Sequence, residues 1–208
     1  MEIIQIREPF GHSYHRILEE VRPELLKGGV LMYGTDTCWG LSTMISSKKG
    51  IEKIYNIKNR PETKAVSIAV SDLQMAHQYV HISQEVESFM KKYLPGRISL
   101  ILPAKMEAFP TDFLIPDRKV SIRIPSDLFT RRLVASLKEP LTTTSANISG
   151  QKELYTWKEV EHFLENISEK PDLVLYKKRI PKCLPSTIIN TTTTPWTVVR
   201  QGGFVLEK

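Results

Sequence analysis

The chain has 208 residues, of which 41% are hydrophobic and 25% charged, and these proportions exclude a disordered, collagen-like or coiled-coil protein. Its 29 Lys and Arg residues outnumber 23 Asp and Glu residues, so the net charge of +6 favours anionic partners without naming one. The length suits one continuous core, and we expect a single domain over residues 1–208.

The cysteines and the N-terminus indicate the compartment. Cys38 and Cys183 match no metal-ligand spacing and are too few for a disulfide framework, so we predict no metal site and a reducing, cytoplasmic environment. Glu2 and Arg7 interrupt the first apolar stretch, which excludes a signal peptide or a membrane-spanning helix there. We therefore expect no membrane partner.

Strand-like apolar runs alternate with helical periodicity, which is typical of a layered α/β protein. The predicted strands are Ile3–Ile6, Val30–Tyr33, Cys38–Met44, Ala65–Val70, Ile98–Leu102, Val120–Ile124, Asp172–Tyr176, Thr187–Ile189 and Thr197–Arg200. Because no helix separates the second run from the third, these two strands are predicted to be antiparallel and the sheet to be mixed.

Helix boundaries are marked by capping residues. After Ser83, apolar residues recur at helical spacing until Pro95, which ends the helix. Two more helices are predicted to begin at capping boxes, in which a hydroxyl at the N-cap pairs with Gln or Glu three residues later: Ser71 with Gln74, and Thr156 with Glu159.

The first two of four polar clusters follow a predicted strand and a predicted helix. Thr35 and Thr37 present hydroxyls beside open backbone amides, although a plain hairpin turn around Asp36 explains the same residues. The cations of Lys58–Lys64, including Arg60, suit a polyphosphate clamp. The alternative is that they neutralise the C-terminal dipole of the preceding helix, which is predicted over Ile51–Ile57.

The third cluster is a run of hydroxyl and amide residues. Residues 141–150 include Thr144, Ser145 and Asn147, which can donate to phosphate oxygens or to nucleobase edges. A strand end with side-chain-capped turns is the alternative.

The fourth cluster combines distant residues: Arg123 in an apolar strand, Ser186 before another strand, and Arg200 near the C-terminus. A buried Arg needs an anionic partner, which is either a ligand or a structural carboxylate. The sequence carries no Walker A motif, no dinucleotide-binding glycine motif, no His/Cys metal set and no nucleophile triad.

Seven short motifs together resemble those of the YrdC-type threonylcarbamoyl-AMP synthases, in the order in which that family has them. They are Gly29–Gly40, Lys58–Pro61, Pro95–Gly96, Ser121–Pro125, Thr144–Gly150, Pro185–Ile188 and Arg200–Gly202. The resemblance covers nearly the whole chain and implies a twisted, open, mixed sheet flanked by helices in three layers, around a basic cavity.

The resemblance also implies a reaction. L-threonine and bicarbonate form a carbamate, which attacks the α-phosphorus of ATP and releases pyrophosphate. The threonylcarbamoyl adenylate then serves the threonylcarbamoyl modification of tRNA, passed on by downstream tRNA-modifying proteins. Magnesium would arrive with ATP as a phosphate-bridging ion.

Site residues follow from the same resemblance. The threonine side would comprise Thr35, Lys64, Arg123, Thr144 and Ser186. The ATP side would comprise Lys58, Arg60, Ser145, Asn147 and Arg200, with Lys58 and Arg60 as the catalytic residues.

Two alternatives remain open. The basic run Lys177–Arg179 and Lys182, together with the net charge, fits an RNA-contacting surface as well as a solvated face. A divergent relative that binds a nucleotide or double-stranded RNA in translation, without threonine chemistry, would carry the same clusters. No RNA-binding motif supports the RNA hypothesis, and the clusters suit a closed small-molecule pocket better than a stacking platform.

Overall fold

The computed structural model describes residues 1–5, 13–61, 64–110 and 114–206, which form ten strands and six α-helices. The strands are β1 (Glu2–Gln5), β2 (Leu31–Gly34), β3 (Trp39–Ser42), β4 (Ser67–Ala69), β5 (Ile98–Pro103), β6 (Lys119–Arg123), β7 (Leu141–Ser145), β8 (Leu173–Tyr176), β9 (Thr187–Asn190) and β10 (Thr197–Arg200). The helices are α1 (Ser13–Leu26), α2 (Lys48–Lys58), α3 (Leu73–Tyr79), α4 (Gln84–Tyr93), α5 (Leu128–Leu137) and α6 (Trp157–Asn166). Ile6, at the end of the first predicted strand, and Arg7 lie outside the described residues.

The strands form one sheet in the order β1-β8-β2-β3-β7-β4-β6-β5-β9-β10. Four neighbouring pairs are parallel, β1–β8, β2–β8, β4–β6 and β5–β9, and the others are antiparallel. β1 and β10 stand at opposite ends of this order, so the sheet is open. The predicted mixed, open α/β architecture is confirmed.

Helices cover both faces of the sheet. Successive side chains of a strand point to opposite faces, and in β2 Leu31 packs in one hydrophobic cluster while Met32 packs in a second. The first cluster includes α1 side chains such as Val21, and the second includes α6 side chains such as Val160. The sheet is therefore the middle of three layers, as predicted. No helix in the described ranges is long and apolar enough to cross a bilayer.

The structure corrects one helix start and adds one strand. Thr156 and Glu159 form the predicted capping box of α6. At α3 the prediction is wrong, because Asp72 and not Ser71 is the N-cap and accepts from the Met75 amide. Residues 141–145, which are not among the predicted strands, form β7 between β3 and β4.

Candidate functional site

A cavity of about 200 Å³ opens where the central strands meet the turns that follow β2 and α2. It is lined by Thr35, Thr37, Cys38, Gly40, Arg60, Ala65, Val66, Ser67, Ser99, Arg123, Thr143, Thr144, Ser145, Glu153, Pro185, Ser186, Ile188 and Arg200. Side chains from all four predicted clusters thus share one cavity. Among the described residues, its charged lining groups are three guanidinium groups and one carboxylate, which favours an anionic ligand.

Arg123, the last residue of β6, enters the cavity wall as half of a buried ion pair. Its Nη2 donates to both carboxylate oxygens of Asp36, at 2.6 and 2.8 Å, and only 7% of its side chain is exposed. The structural carboxylate partner considered for this Arg is therefore present. Burial raises the pKa of Asp36, but the charge of Arg123 and the hydrogen bonds from Ser126 lower it by more. The pKa of Asp36 therefore lies below its ordinary value.

Two buried donors of the wall have no hydrogen-bond partner among the residues that the structure describes. They are Nε of Arg123 and Oγ of Ser186, and both residues line the cavity. Since leaving a buried polar atom unpaired is costly, these two atoms are candidates for hydrogen bonds to a ligand. A carboxylate offers enough lone pairs for both donors.

The Thr35 hydroxyl organises the turn between β2 and β3. It donates to the Cys38 carbonyl at 2.7 Å and accepts from the backbone amides of Thr37, at 3.2 Å, and Cys38, at 3.3 Å. The hairpin alternative is therefore correct for the backbone. Thr35, Thr37 and Cys38 nevertheless also line the cavity.

Arg60 and Lys64, two cations that follow α2, differ in the position of their side chains. The guanidinium of Arg60 donates to the carbonyls of Lys64, at 2.8 Å, and Ala65, at 2.6 Å, which fixes it in the cavity wall. Lys64 is exposed and contributes its backbone to this arrangement. Its side chain is not among the groups that line the cavity.

Lys58 lies behind the cavity wall, beneath the residues that follow β7. Its ammonium group, which is almost fully buried, donates to the carbonyls of Ser145 and Asn147 and to Oδ1 of Asn147. Burial and the nearby charge of Arg60 lower the pKa of Lys58 to about 8. Since an ammonium has three donors, this one has used all of them within the protein.

Asn147 completes the support of Ser145. Its Oδ1 accepts from the Ser145 hydroxyl at 2.5 Å, and its Nδ2 donates to the Gln151 carbonyl at 2.5 Å. Ser145 lines the cavity, whereas Asn147 is buried outside it. The predicted ATP side therefore has two layers, with Lys58 and Asn147 behind Ser145.

Arg200 and Ser186 are joined through the backbone. Nε and Nη2 of Arg200 donate to the Ser186 carbonyl, at 3.1 and 2.8 Å. A Cβ on Gly202 would lie 2.0 Å from the Pro185 carbonyl oxygen, so only glycine allows this close approach. The distant motifs that contain Ser186 and Gly202 therefore form one unit of the wall.

Of the predicted site residues, the cavity brings together Thr35, Arg60, Arg123, Thr144, Ser145, Ser186 and Arg200, and it does not include Lys58, Asn147 or Lys64. Sequence reasoning missed Glu153 as a lining group and Asp36 as the partner of Arg123. No local pattern singles out Glu153. Asp36 was visible in its motif, but its contact spans 87 positions of sequence.

No group of three or more His, Cys, Asp or Glu side chains within the described ranges is placed to hold a metal ion. Cys38 and Cys183 are both free thiols. Burial raises the pKa of the Cys38 thiol to about 11, which disfavours the nucleophilic thiolate.

Comparisons with known proteins place this chain in a family. The family model Sua5_yciO_yrdC, described as "Telomere recombination", matches residues 24–202. A Methanocaldococcus jannaschii protein named "Putative threonylcarbamoyl-AMP synthase" is 33% identical over 207 residues, which are 100% of this chain and 96% of that protein.

Solved structures agree in fold. Escherichia coli YciO is 27% identical, with a TM-score of 0.79 over 97% of this chain and 94% of that chain. Pyrococcus abyssi Sua5, solved in complex with L-threonine, is 23% identical with a TM-score of 0.84, and the match covers 98% of this chain but 58% of the longer one. By the family match and the full-length likeness, the chain belongs to the Sua5/YciO/YrdC family.

Proposed function

We propose that the protein is an L-threonylcarbamoyladenylate synthase, which converts L-threonine, bicarbonate and ATP into threonylcarbamoyl-AMP, pyrophosphate and water. The observation that carries this proposal is the pair of buried, unpartnered donors, Arg123 Nε and Ser186 Oγ, in a cavity that also holds Arg60 and Arg200. Guanidinium groups suit both ligand groups of this reaction, the carboxylate of threonine and the phosphates of ATP. The likeness to relatives named as synthases supports it.

On the threonine side, the carboxylate would bind Arg123 and Ser186. Thr35 and Thr144 line the adjoining wall and offer hydroxyls to the polar groups of the amino acid. Lys64 is exposed next to Arg60 and would have to turn inward to contribute, so we assign it the weakest role in this group.

On the ATP side, Arg60, Arg200 and Ser145 would donate to phosphate oxygens, because guanidinium groups match phosphate geometry. Lys58 and Asn147 would act by holding Ser145 in place. Arg60, whose charge faces the cavity, is the group we assign to the leaving pyrophosphate.

This arrangement suits the chemistry. In the attack on ATP the nucleophile is a carbamate oxygen, which is already an anion, so this step needs no general base. The chain would act in it by holding two anions together and stabilising the charge that develops on pyrophosphate. Magnesium supplied with ATP would bridge phosphate oxygens. The adenylate would pass to downstream proteins that modify tRNA in the cytoplasm, and the basic run at Lys177–Arg179 is where RNA contact would be sought.

The decisive measurement is pyrophosphate release from ATP, with and without L-threonine and bicarbonate. We expect release to require both, and mass spectrometry to detect threonylcarbamoyl-AMP. Equal release without threonine would contradict the proposal and indicate a nucleotide hydrolase. Nucleotide binding without any release would favour a divergent family member that lacks threonine chemistry.

A second test addresses Arg123. A charge-assisted contact in a partly dry pocket contributes about 1.5 to 3 kcal/mol, so Arg123→Ala should weaken L-threonine binding by roughly tenfold to a hundredfold. ATP affinity should change much less. Calorimetry on variants shown by circular dichroism to be folded measures both, and unaltered threonine affinity would reassign Arg123 to a purely structural ion pair.

A further inference from the structure

Asp36 holds more hydrogen bonds than a simple turn residue needs. Besides the two contacts from Arg123 Nη2, its Oδ2 accepts from the Ser126 amide at 3.0 Å and from the Ser126 hydroxyl at 2.7 Å. Its side chain is 6% exposed. One carboxylate therefore ties the turn after β2 both to Arg123, the last residue of β6, and to Ser126 in the turn that follows β6.

The geometry of this ion pair is one-sided. A structural Arg–carboxylate pair is frequently bidentate, with two guanidinium nitrogens each meeting one oxygen. Here both oxygens of Asp36 meet the same nitrogen, Nη2, while Nε is buried without a partner. Asp36 therefore accepts from a single nitrogen of the guanidinium group, and Nε has no partner among the described residues.

A competing carboxylate lies within electrostatic reach. Asp127 caps α5 by accepting from the Phe129 and Thr130 amides. Burial raises the pKa of Asp127, the charge of Asp36 raises it further, and the charge of Arg123 lowers it. Asp127 is therefore a second carboxylate whose charge interacts with Arg123.

We infer that Asp36 is a positioning residue, which holds the guanidinium group of Arg123 in the cavity wall, where that group meets the carboxylate of the amino-acid substrate. The inference rests on the proposed function for the identity of that substrate. Asp36 itself touches no substrate, because its oxygens are occupied by Arg123 and Ser126.

The alternative role for Asp36 is electrostatic. A carboxylate beside the pocket repels the carboxylate of a ligand, so removing a merely electrostatic Asp36 would strengthen threonine binding. Removing a positioning Asp36 would weaken it. The sign of the change thus separates the two roles.

The test compares Asp36→Ala, Arg123→Ala and the double variant by calorimetry with L-threonine and, separately, with ATP. We expect Asp36→Ala to weaken threonine binding roughly tenfold or more while ATP affinity changes less than about threefold. In the Arg123→Ala background, the Asp36 substitution should have no further effect on threonine, because its action passes through Arg123. An equal further loss, or tighter binding in Asp36→Ala, would overturn the inference.

Asp172→Asn is the matched control. Asp172 accepts from Lys53 Nζ at 2.6 Å and from the Val30 amide at 2.7 Å, and it does not line the cavity. Asp172→Asn should lower the melting temperature of the protein and leave its threonine affinity unchanged. If Asp36→Ala does not fold, Asp36→Asn replaces it and should weaken threonine binding about threefold to tenfold, since one acceptor oxygen remains.

A crystal structure of the Asp36 variant separates this inference from the proposed function. We expect Arg123 to have left its place in the wall. Arg123 unmoved would overturn the positioning role whichever ligand the cavity binds, whereas wild-type protein that binds no threonine, combined with a displaced Arg123, would contradict only the proposed function.

Discussion

Lys58 shows how a single residue of a binding motif acts through its neighbours. Its buried ammonium group donates to Ser145 and Asn147, so it shapes the backbone that presents Ser145 to the cavity. Arg60, two positions later, has its guanidinium group in the cavity wall. The two cations of this motif therefore differ in position: Lys58 supports the wall from behind, and Arg60 lines the cavity.

The titration of Lys58 gives a prediction with a definite sign. Its pKa is lowered to about 8 in the folded protein, against roughly 10.4 in an unfolded chain. Between these values the unfolded chain holds a proton that the folded chain has lost, so this group makes the free energy of unfolding rise with pH, by at most about 1.4 kcal/mol per pH unit. Below about pH 8 both states are protonated and the contribution is constant.

Urea denaturation of the wild type and of Lys58→Met from pH 7 to pH 10 measures this contribution. The difference in stability should shift in favour of the wild type as pH rises from 8 to 10, because only the wild type gains from the titration. A difference that stays constant across this range would show that the pKa of Lys58 is not lowered.

At the scale of elements, β10 and the residues after it brace β9. Thr187 Oγ1 donates to the Phe204 carbonyl at 2.6 Å and accepts from the Gly202 amide at 3.0 Å. Gly202 lies against the backbone of Pro185 and Ser186, where there is no space for a side chain. The position of Ser186 is thus set by residues that come after β10, later in the sequence.

Gly202→Ala should displace this brace. The added methyl would meet the Pro185 carbonyl oxygen at 2.0 Å, and overpacking of this kind typically costs about 1 to 3 kcal/mol of stability. Threonine affinity should fall together with stability because Ser186 must move. Gly203→Ala is the control, since its Cβ would meet Leu184 at an ordinary 3.6 Å; equal effects of the two substitutions would contradict this account.

At the scale of the whole molecule, charge is distributed unevenly around the cavity. Among the residues that the structure describes, the lining combines three guanidinium groups, from Arg60, Arg123 and Arg200, with one carboxylate, from Glu153. Glu153 lies close enough to Lys58 and Arg200 to raise the pKa of each, although burial lowers both overall. It therefore weakens the positive potential on the proposed ATP side.

Glu153→Gln should consequently tighten ATP binding. We expect roughly threefold to tenfold at low salt, with the gain shrinking as ionic strength rises, because exposed charges are screened. Glu161→Gln, an exposed position on α6, removes the same charge outside the cavity and should have little effect. Weaker ATP binding in Glu153→Gln would show that this carboxylate instead contacts the nucleotide or its magnesium ion.

The sequence by itself determined the layered α/β fold, most strand positions, the α6 capping box and the motifs that gather at the cavity, because these depend on periodicity and local hydrogen bonding. Tertiary structure decided the rest. Apolar periodicity does not predict β7, because Thr142 and its neighbours are polar. This segment is a strand because β3 and β4 pair with it on its two sides, and because the Thr43 carbonyl accepts from the buried Thr142 hydroxyl. Likewise, Asp36 meets Arg123, and Lys58 meets Asn147, across more than 80 positions of sequence, and no local pattern encodes which distant charge or carbonyl a buried cation will find.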